Sequence, residues 1–167
     1  KPVTLRNILT HTAGFEESAR GNFSFDPKGP PPLGDVLKAQ KPQRVFAPGT
    51  TPAYSNHATA LAGYIVARVS GMSFDDYLDR NIFGRLGMAK SSFRQPLPAN
   101  LQPLMSKGYK LGSGEPTPFE MIAVGPAGSL SASGADMGKF MIAHLNQGGA
   151  LLKPETARLM HHTKLTV

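Results

Sequence analysis

Apolar positions recur at helical spacing in several stretches of the chain, and the longest begins just after Ser55. Ala58, Leu61, Ala62, Ile65, Val66 and Val69 form one stripe, which predicts an amphipathic helix over 56–70. Ser55 is a natural N-cap, and Gly71 stands where a left-handed residue ends such a helix. Upstream, Thr4 can cap a short helix carrying Leu5, Ile8 and Leu9 on one face, closed at His11-Thr12-Ala13-Gly14. A second short helix over 33–39 turns Val36 and Leu37 inward before Pro42 stops it. Downstream, Ser73-Phe74-Asp75-Asp76 resembles a capping box and opens a helix that buries Phe74, Tyr77, Leu78 and Ile82. The last long helix starts at Ser133 with Asp136, and its stripe is Met137, Phe140, Met141, His144 and Leu145. Gly148-Gly149 ends it, and Pro154 with Glu155 starts a final short helix through about Met160.

The intervals are irregular. From Phe15 to Pro32 no period is sustained, and Pro30-Pro31-Pro32 forbids a helix. From Leu86-Gly87-Met88 to Pro118 the prolines at 96, 98, 103, 116 and 118 keep any strand short. Gly125-Pro126-Ala127-Gly128-Ser129-Leu130 is a turn whose small residues let backbone approach backbone. The fold expected is mainly α with long loops, arranged as a single helical unit over 1–167. A chain of 167 residues with 40% hydrophobic content can close a core.

Composition narrows the chemistry. The chain has no cysteine, which excludes disulfides, thiol nucleophiles and thiolate metal ligands. Its net charge of +7 is scattered, with only Lys38, Lys41 and Arg44 close together, so no nucleic-acid partner is expected. No apolar run approaches the ~20 residues of a membrane span. Of the five histidines, none forms a His-Glu-x-x-His pattern, and the adjacent His161 and His162 diverge on a helix. His144 continues an apolar stripe and reads as a boundary residue. Neither a metal site nor a cofactor is expected. Gly128-Ser129-Leu130-Ser131 lacks the glycine that would close a nucleophile elbow. Asp75, Asp76 and Asp79 read as a solvated face complementing the helix dipole.

The chemically loaded stretch is Pro48-Gly49-Thr50-Thr51-Pro52-Ala53-Tyr54-Ser55-Asn56, which delivers a Tyr, a Ser and an Asn to the mouth of the longest helix. Two readings stand open from the residues alone. Either these groups face a pocket, where free N–H groups favour negative charge, or Tyr54 packs under the turn and Asn56 caps it.

Four blocks in order carry a resemblance. Val3-Thr4-Leu5-Arg6-Asn7-Ile8-Leu9-Thr10-His11-Thr12-Ala13-Gly14 is the first, and the Pro48–Asn56 stretch with its Tyr-x-Asn pattern the second. Ile82-Phe83-Gly84-Arg85-Leu86-Gly87-Met88 follows, and then Pro126-Ala127-Gly128-Ser129-Leu130 with Ala135-Asp136-Met137-Gly138-Lys139-Phe140. Together they resemble the serine β-lactamase-like hydrolases: class C β-lactamases, penicillin-binding-protein-like peptidases and related esterases. The resemblance implies the helical region of the β-lactamase/transpeptidase-like α/β fold. It implies that Tyr54 is the active-site tyrosine, working with a lysine as general base and acid for a serine nucleophile. It implies that Asn56 binds the substrate amide or ester and the same lysine. Gly14, Gly49 and Gly128 are then turn residues, and Leu86 and Met88 core.

Two of that family's patterns do not occur here. No lysine has serine three positions before it, and no Lys-Thr-Gly, Lys-Ser-Gly or His-x-Gly is present. The chain therefore reads as the helical half of a larger serine hydrolase, without its nucleophile, with both ends (Lys1-Pro2-Val3 and Leu165-Thr166-Val167) resembling cuts. The parent's expected substrate is a small-molecule ester, amide or β-lactam, and its expected location the periplasm or cell envelope. Self-association through an uncovered apolar face is expected of the isolated chain. The competing expectation is a non-catalytic binding or scaffold module that keeps the fold.

Overall fold

The longest predicted helix is the element around which the others pack. The structure is a computed structural model and describes residues 1–162, so the C-terminal Leu165-Thr166-Val167 lies outside the described residues. In chain order the helices are α1 (Leu5–Leu9), α2 (Leu33–Ala39), α3 (Asn56–Ser70), α4 (Phe74–Leu78), α5 (Gly84–Leu86), α6 (Gly134–Leu145) and α7 (Pro154–His162). A single π turn, Asp79–Phe83, joins α4 to α5, and a 3₁₀ turn spans Gly125–Ala127. The strands are β1 (Phe23–Ser24), β2 (Ser91–Ser92), β3 (Gly108–Tyr109), β4 (Pro116–Thr117), β5 (Met121–Ile122) and β6 (Ser131–Ala132). They form antiparallel pairs β1–β5, β2–β6 and β3–β4, with Phe23 opposite Ile122, Ser91 opposite Ala132 and Gly108 opposite Thr117. Helices thus supply every long element, as the periodicity implied.

Capping explains the helix starts. Thr4 accepts the Asn7 N–H and Asn7 returns the bond to Thr4, a complete capping box. Ser55 accepts the Ala58 N–H at 3.1 Å, and Gly71 ends α3 at φ 69°, as its sequence implied. Ser73 and Ser133 cap α4 and α6 in the same way, on the N–H groups of Asp76 and Asp136.

The core lies where α2, α3 and the segment around Ala123 meet. Val36, Leu37, Ala60, Ala123 and Val124 are buried there, with Leu33, Leu61, Tyr64, Ile122 and Ala127 packed around them. On α3 the closest approach falls to small residues: Ala58, Ala60 and Gly63 are the buried ones, whereas Val69 is 83% exposed. The predicted stripe is therefore displaced, because α3 touches α1, α2, α4 and the 3₁₀ turn on several sides rather than along one seam. Gly63 shows why the small face matters: a Cβ there would meet Pro126 at 2.5 Å.

Other predicted faces also differ from those observed. On α1 only Ile8 is buried, while Leu5 and Leu9 are exposed, because one turn and a half presents a single side to α3. The α4 residues Phe74, Tyr77 and Leu78 are half-buried, and the deepest side chain of that region is Phe83, stacked on Phe93. Asp75, Asp76 and Asp79 are not merely a solvated face. Arg94 reaches across from the loop after β2 and pairs with Asp76 at 2.5 Å and Asp79 at 2.8 Å. That guanidinium, with the Ser73 hydroxyl, holds the Asp76 carboxyl below the usual carboxylate range. Burial pushes Asp75 above that range.

On α6 the inward side is Asp136 and Ala143, so Met141, Ile142 and Leu145 face solvent, and His144 meets His161 of α7. This end of the molecule carries exposed apolar side chains. Among the described residues, no helix is long and apolar enough to cross a membrane.

Candidate active site

The mouth of α3 is tied to the end of α1 before any chemistry is considered. His11 adopts φ 54°, a left-handed conformation that few non-glycine residues take. In that posture its carbonyl accepts the Ala53 N–H at 2.8 Å and its Nδ1 accepts the Ser55 N–H at 3.2 Å. The Thr12 carbonyl accepts the Gly49 N–H at 2.8 Å, so the Pro48–Asn56 stretch is stitched to the turn over several residues. Gly14 completes the arrangement at φ 79°, where a Cβ would lie 2.1 Å from the Phe46 carbonyl oxygen. Only glycine fits that crossing.

On this frame Tyr54 and Asn56 come together. The Tyr54 Oη donates to Asn56 Oδ1 at 2.8 Å, and the phenol stands 60% exposed, with its ring 4.9 Å from the His11 imidazole. Of the two sequence readings, packing under the turn does not describe a ring this exposed. Nor is Asn56 the cap: Ser55, 1% exposed, holds that position, and Asn56 is the first residue of the helix. Both predicted site residues are adjacent at one mouth, with Tyr54 turned to solvent.

Glu17 and His11 complete this site, and neither emerges from the pattern of the sequence as a site residue. Glu17 Oε2 accepts the Asn56 backbone N–H at 2.8 Å and Oε1 accepts the Asn56 Nδ2 at 2.7 Å. The contact joins positions 39 apart in the chain, through a loop without periodicity. The one signal that could have pointed to it is general: an acid suits the free N–H groups of a helix start. Beside this network runs a cleft of about 470 Å³ whose lining includes Glu16, Glu17, Arg20, Lys41 and His57. Burial holds the His57 imidazole below its ordinary pKa, and the attraction of Glu17 offsets part of that shift. Tyr54 and Asn56 stand at the side of this cleft, reached through Glu17, rather than in its lining.

The serines of the chain are differently placed. Ser55 Oγ is occupied in capping, and Ser129 Oγ is directed at the carbonyls of Phe93 and Gly125, both at 3.0 Å. Neither has a basic side chain as its hydrogen-bond partner. Among the described residues no group of three or more His, Cys, Asp or Glu side chains is placed to hold a metal ion.

Comparison with known proteins decides the family, since residues 1–166 match the family model described as Beta-lactamase. The chain belongs to the β-lactamase family. PbpX of Bacillus subtilis, named as a penicillin-binding protein, is 30% identical over 141 residues, covering 83% of this chain and 34% of its own length. Penicillin-binding protein 4 of Amycolatopsis lactamdurans is 29% identical over 166 residues, covering 96% of this chain and 42% of its own length. Among solved structures, the octameric penicillin-binding protein homologue from Pyrococcus abyssi superposes with a TM-score of 0.77 at 23% identity, over 97% of this chain and 39% of that one. That likeness establishes the β-lactamase/transpeptidase-like fold, of which these helices form a part. The chain spans about two fifths or less of the length of the relatives it matches.

Proposed function

We propose that this β-lactamase-family chain is the helical unit, over 1–167, of a serine hydrolase that performs acyl transfer on a small-molecule ester, amide or β-lactam. The observation that carries the reading is the exposed Tyr54 phenol held at 2.8 Å by Asn56, at a helix mouth fixed from two sides. In the proposed reaction a serine outside this chain attacks the carbonyl carbon, and the acyl-serine is then resolved by water. Tyr54 relays the proton: it takes the serine proton as the new bond forms and passes it to the leaving group. A phenol is a weak base unless nearby positive charge favours its ionised form, so the phenolate step draws on a cation brought by the rest of the protein. Asn56 fixes the phenol through Oδ1 and offers an amide N–H to the substrate. The proposed location, by resemblance to the relatives, is the periplasm or cell envelope.

The test is acylation followed by intact-protein mass spectrometry. The full-length gene product should gain one acyl group from a reactive β-lactam or an activated ester, at a serine outside 1–167. The chain 1–167 alone should gain none. An adduct on Ser55, Ser129 or Ser131 would contradict the placement of the nucleophile.

The exposed apolar side chains of α6, with Leu145 79% and Met141 60% exposed, support self-association of the chain when it stands alone. Sedimentation velocity should show oligomers that dissociate on dilution. A monomer at every concentration would remove this part of the reading.

A further inference from the structure

Asn56 carries one carboxamide and two demands are made on it: to receive the Tyr54 phenol and to present an N–H to a substrate. A carboxamide can meet both only in one of its two flipped orientations, and Tyr54 alone does not select it. A phenol can donate to the amide oxygen or, after a flip, accept from the amide nitrogen. The selection comes from Glu17. Its carboxylate accepts and cannot donate, so the group facing it at 2.7 Å must be Nδ2, and Oδ1 is thereby turned to the Tyr54 Oη. The second carboxylate oxygen takes the Asn56 backbone N–H at 2.8 Å, which fixes Glu17 itself against the start of α3. That N–H is one of the donors a helix start leaves unpaired, and negative charge is favoured beside it. Nδ2 bears two hydrogens, and Glu17 uses one, so the other stays available to a substrate oxygen.

We infer that Glu17 is a positioning residue of this site: it sets the orientation of the Asn56 carboxamide, and through it the direction of the Tyr54 hydroxyl. The inference rests on the acyl-transfer reading for its kinetic consequence but not for the contact itself. Glutamine is the informative replacement. Its side chain offers one accepting oxygen and one donating nitrogen, so it can satisfy only one of the two Asn56 N–H groups and confronts the other with N–H. Glu17→Gln keeps the size and loses the selection, and Glu17→Ala loses both.

Two measurements on the full-length protein test this. In protein labelled with ¹⁵N-asparagine, the backbone and side-chain N–H signals of Asn56 should both move in Glu17→Gln and Glu17→Ala, with the far-ultraviolet circular dichroism unchanged. For turnover, each variant should lose about tenfold in kcat/KM, and Glu17→Ala should cost nothing further in an Asn56→Ala background, because coupled neighbours are not additive. Asn56 signals unmoved by either substitution would overturn the contact. An equal loss in the presence and absence of Asn56 would overturn the positioning role. Should Glu17→Ala fail to fold, Glu17→Gln carries both readouts. A protein that transfers no acyl group at all would refute the functional proposal, and the Asn56 signals would still report on the contact.

Discussion

Two helices of this chain open with the same device and use it differently. Ser55 caps α3 and Ser133 caps α6, each accepting an N–H three residues on, at 3.1 and 3.2 Å. At α6 the acid comes from the helix's own first turn. Asp136 is 2% exposed and accepts from the Lys90 N–H at 2.7 Å, Ser91 Oγ at 3.0 Å and Lys139 Nζ at 2.9 Å. Lys139 also donates to the Gly87 carbonyl, so the network locks α6 to the end of α5. At α3 the first turn has no acid, and Glu17 arrives from a distant loop. The acid at the α6 mouth is buried and paired, whereas the α3 mouth leaves a phenol in solvent. At α6 the buried acid ties the helix start to the β2 segment, a role in packing. At α3 the remote acid Glu17 holds Asn56, and the phenol beside it stays exposed.

On stability, the largest expected effect lies at α6. Asp136→Ala strands the Lys90 N–H and the buried Ser91 hydroxyl and should cost about 2–4 kcal/mol in urea unfolding. Burial opposes ionisation of Asp136, but Lys139, the Lys90 N–H and Ser91 together hold its carboxyl below the usual range. That stabilisation is present above the unfolded pKa of about 3.9 and is lost as pH falls through the lower folded value. A loss below about 0.5 kcal/mol would erase the contrast between the two entrances.

A smaller effect belongs to His57, beside the α3 mouth. Because burial lowers its pKa in the fold, neither state is protonated above about pH 6.5, and below it the unfolded chain binds protons more readily. Stability should therefore fall as pH drops from about 6.5, until the lowered folded value is passed. His57 is only half-buried, so the slope should stay well under the ~1.4 kcal/mol per pH unit of one whole proton. His57→Phe should flatten this slope in urea titrations, and an unchanged slope would assign it to other groups.

The same contrast explains what the sequence disclosed. The starts of α1, α3, α4 and α6 were legible because a cap and its partner lie within four residues of each other. The stripe of α3 was less so, since contact from several sides selects Ala60 and Gly63 over Val69, and periodicity assumes one buried face. The π turn at Asp79–Phe83 keeps helical composition and leaves no mark in a residue pattern. At the site, Tyr54 and Asn56 were readable because they share one turn. Glu17 and His11 were not, because their contacts with that turn cross 39 and 44 positions. Arg94 escaped for the same reason, reaching back 15 and 18 positions to Asp79 and Asp76.

The central claim is that the exposed hydroxyl at the α3 mouth does chemistry and does not hold the fold. Tyr54→Phe in the full-length protein removes one oxygen, 60% of whose residue already faces solvent, and keeps the ring against His11. Turnover of an ester or β-lactam and the urea unfolding midpoint, measured on the same preparation, decide between the two roles. The account predicts kcat lower by about 10²–10⁴-fold with the midpoint unchanged. An unchanged kcat, or a fall in activity matched by a fall in the midpoint, would contradict it.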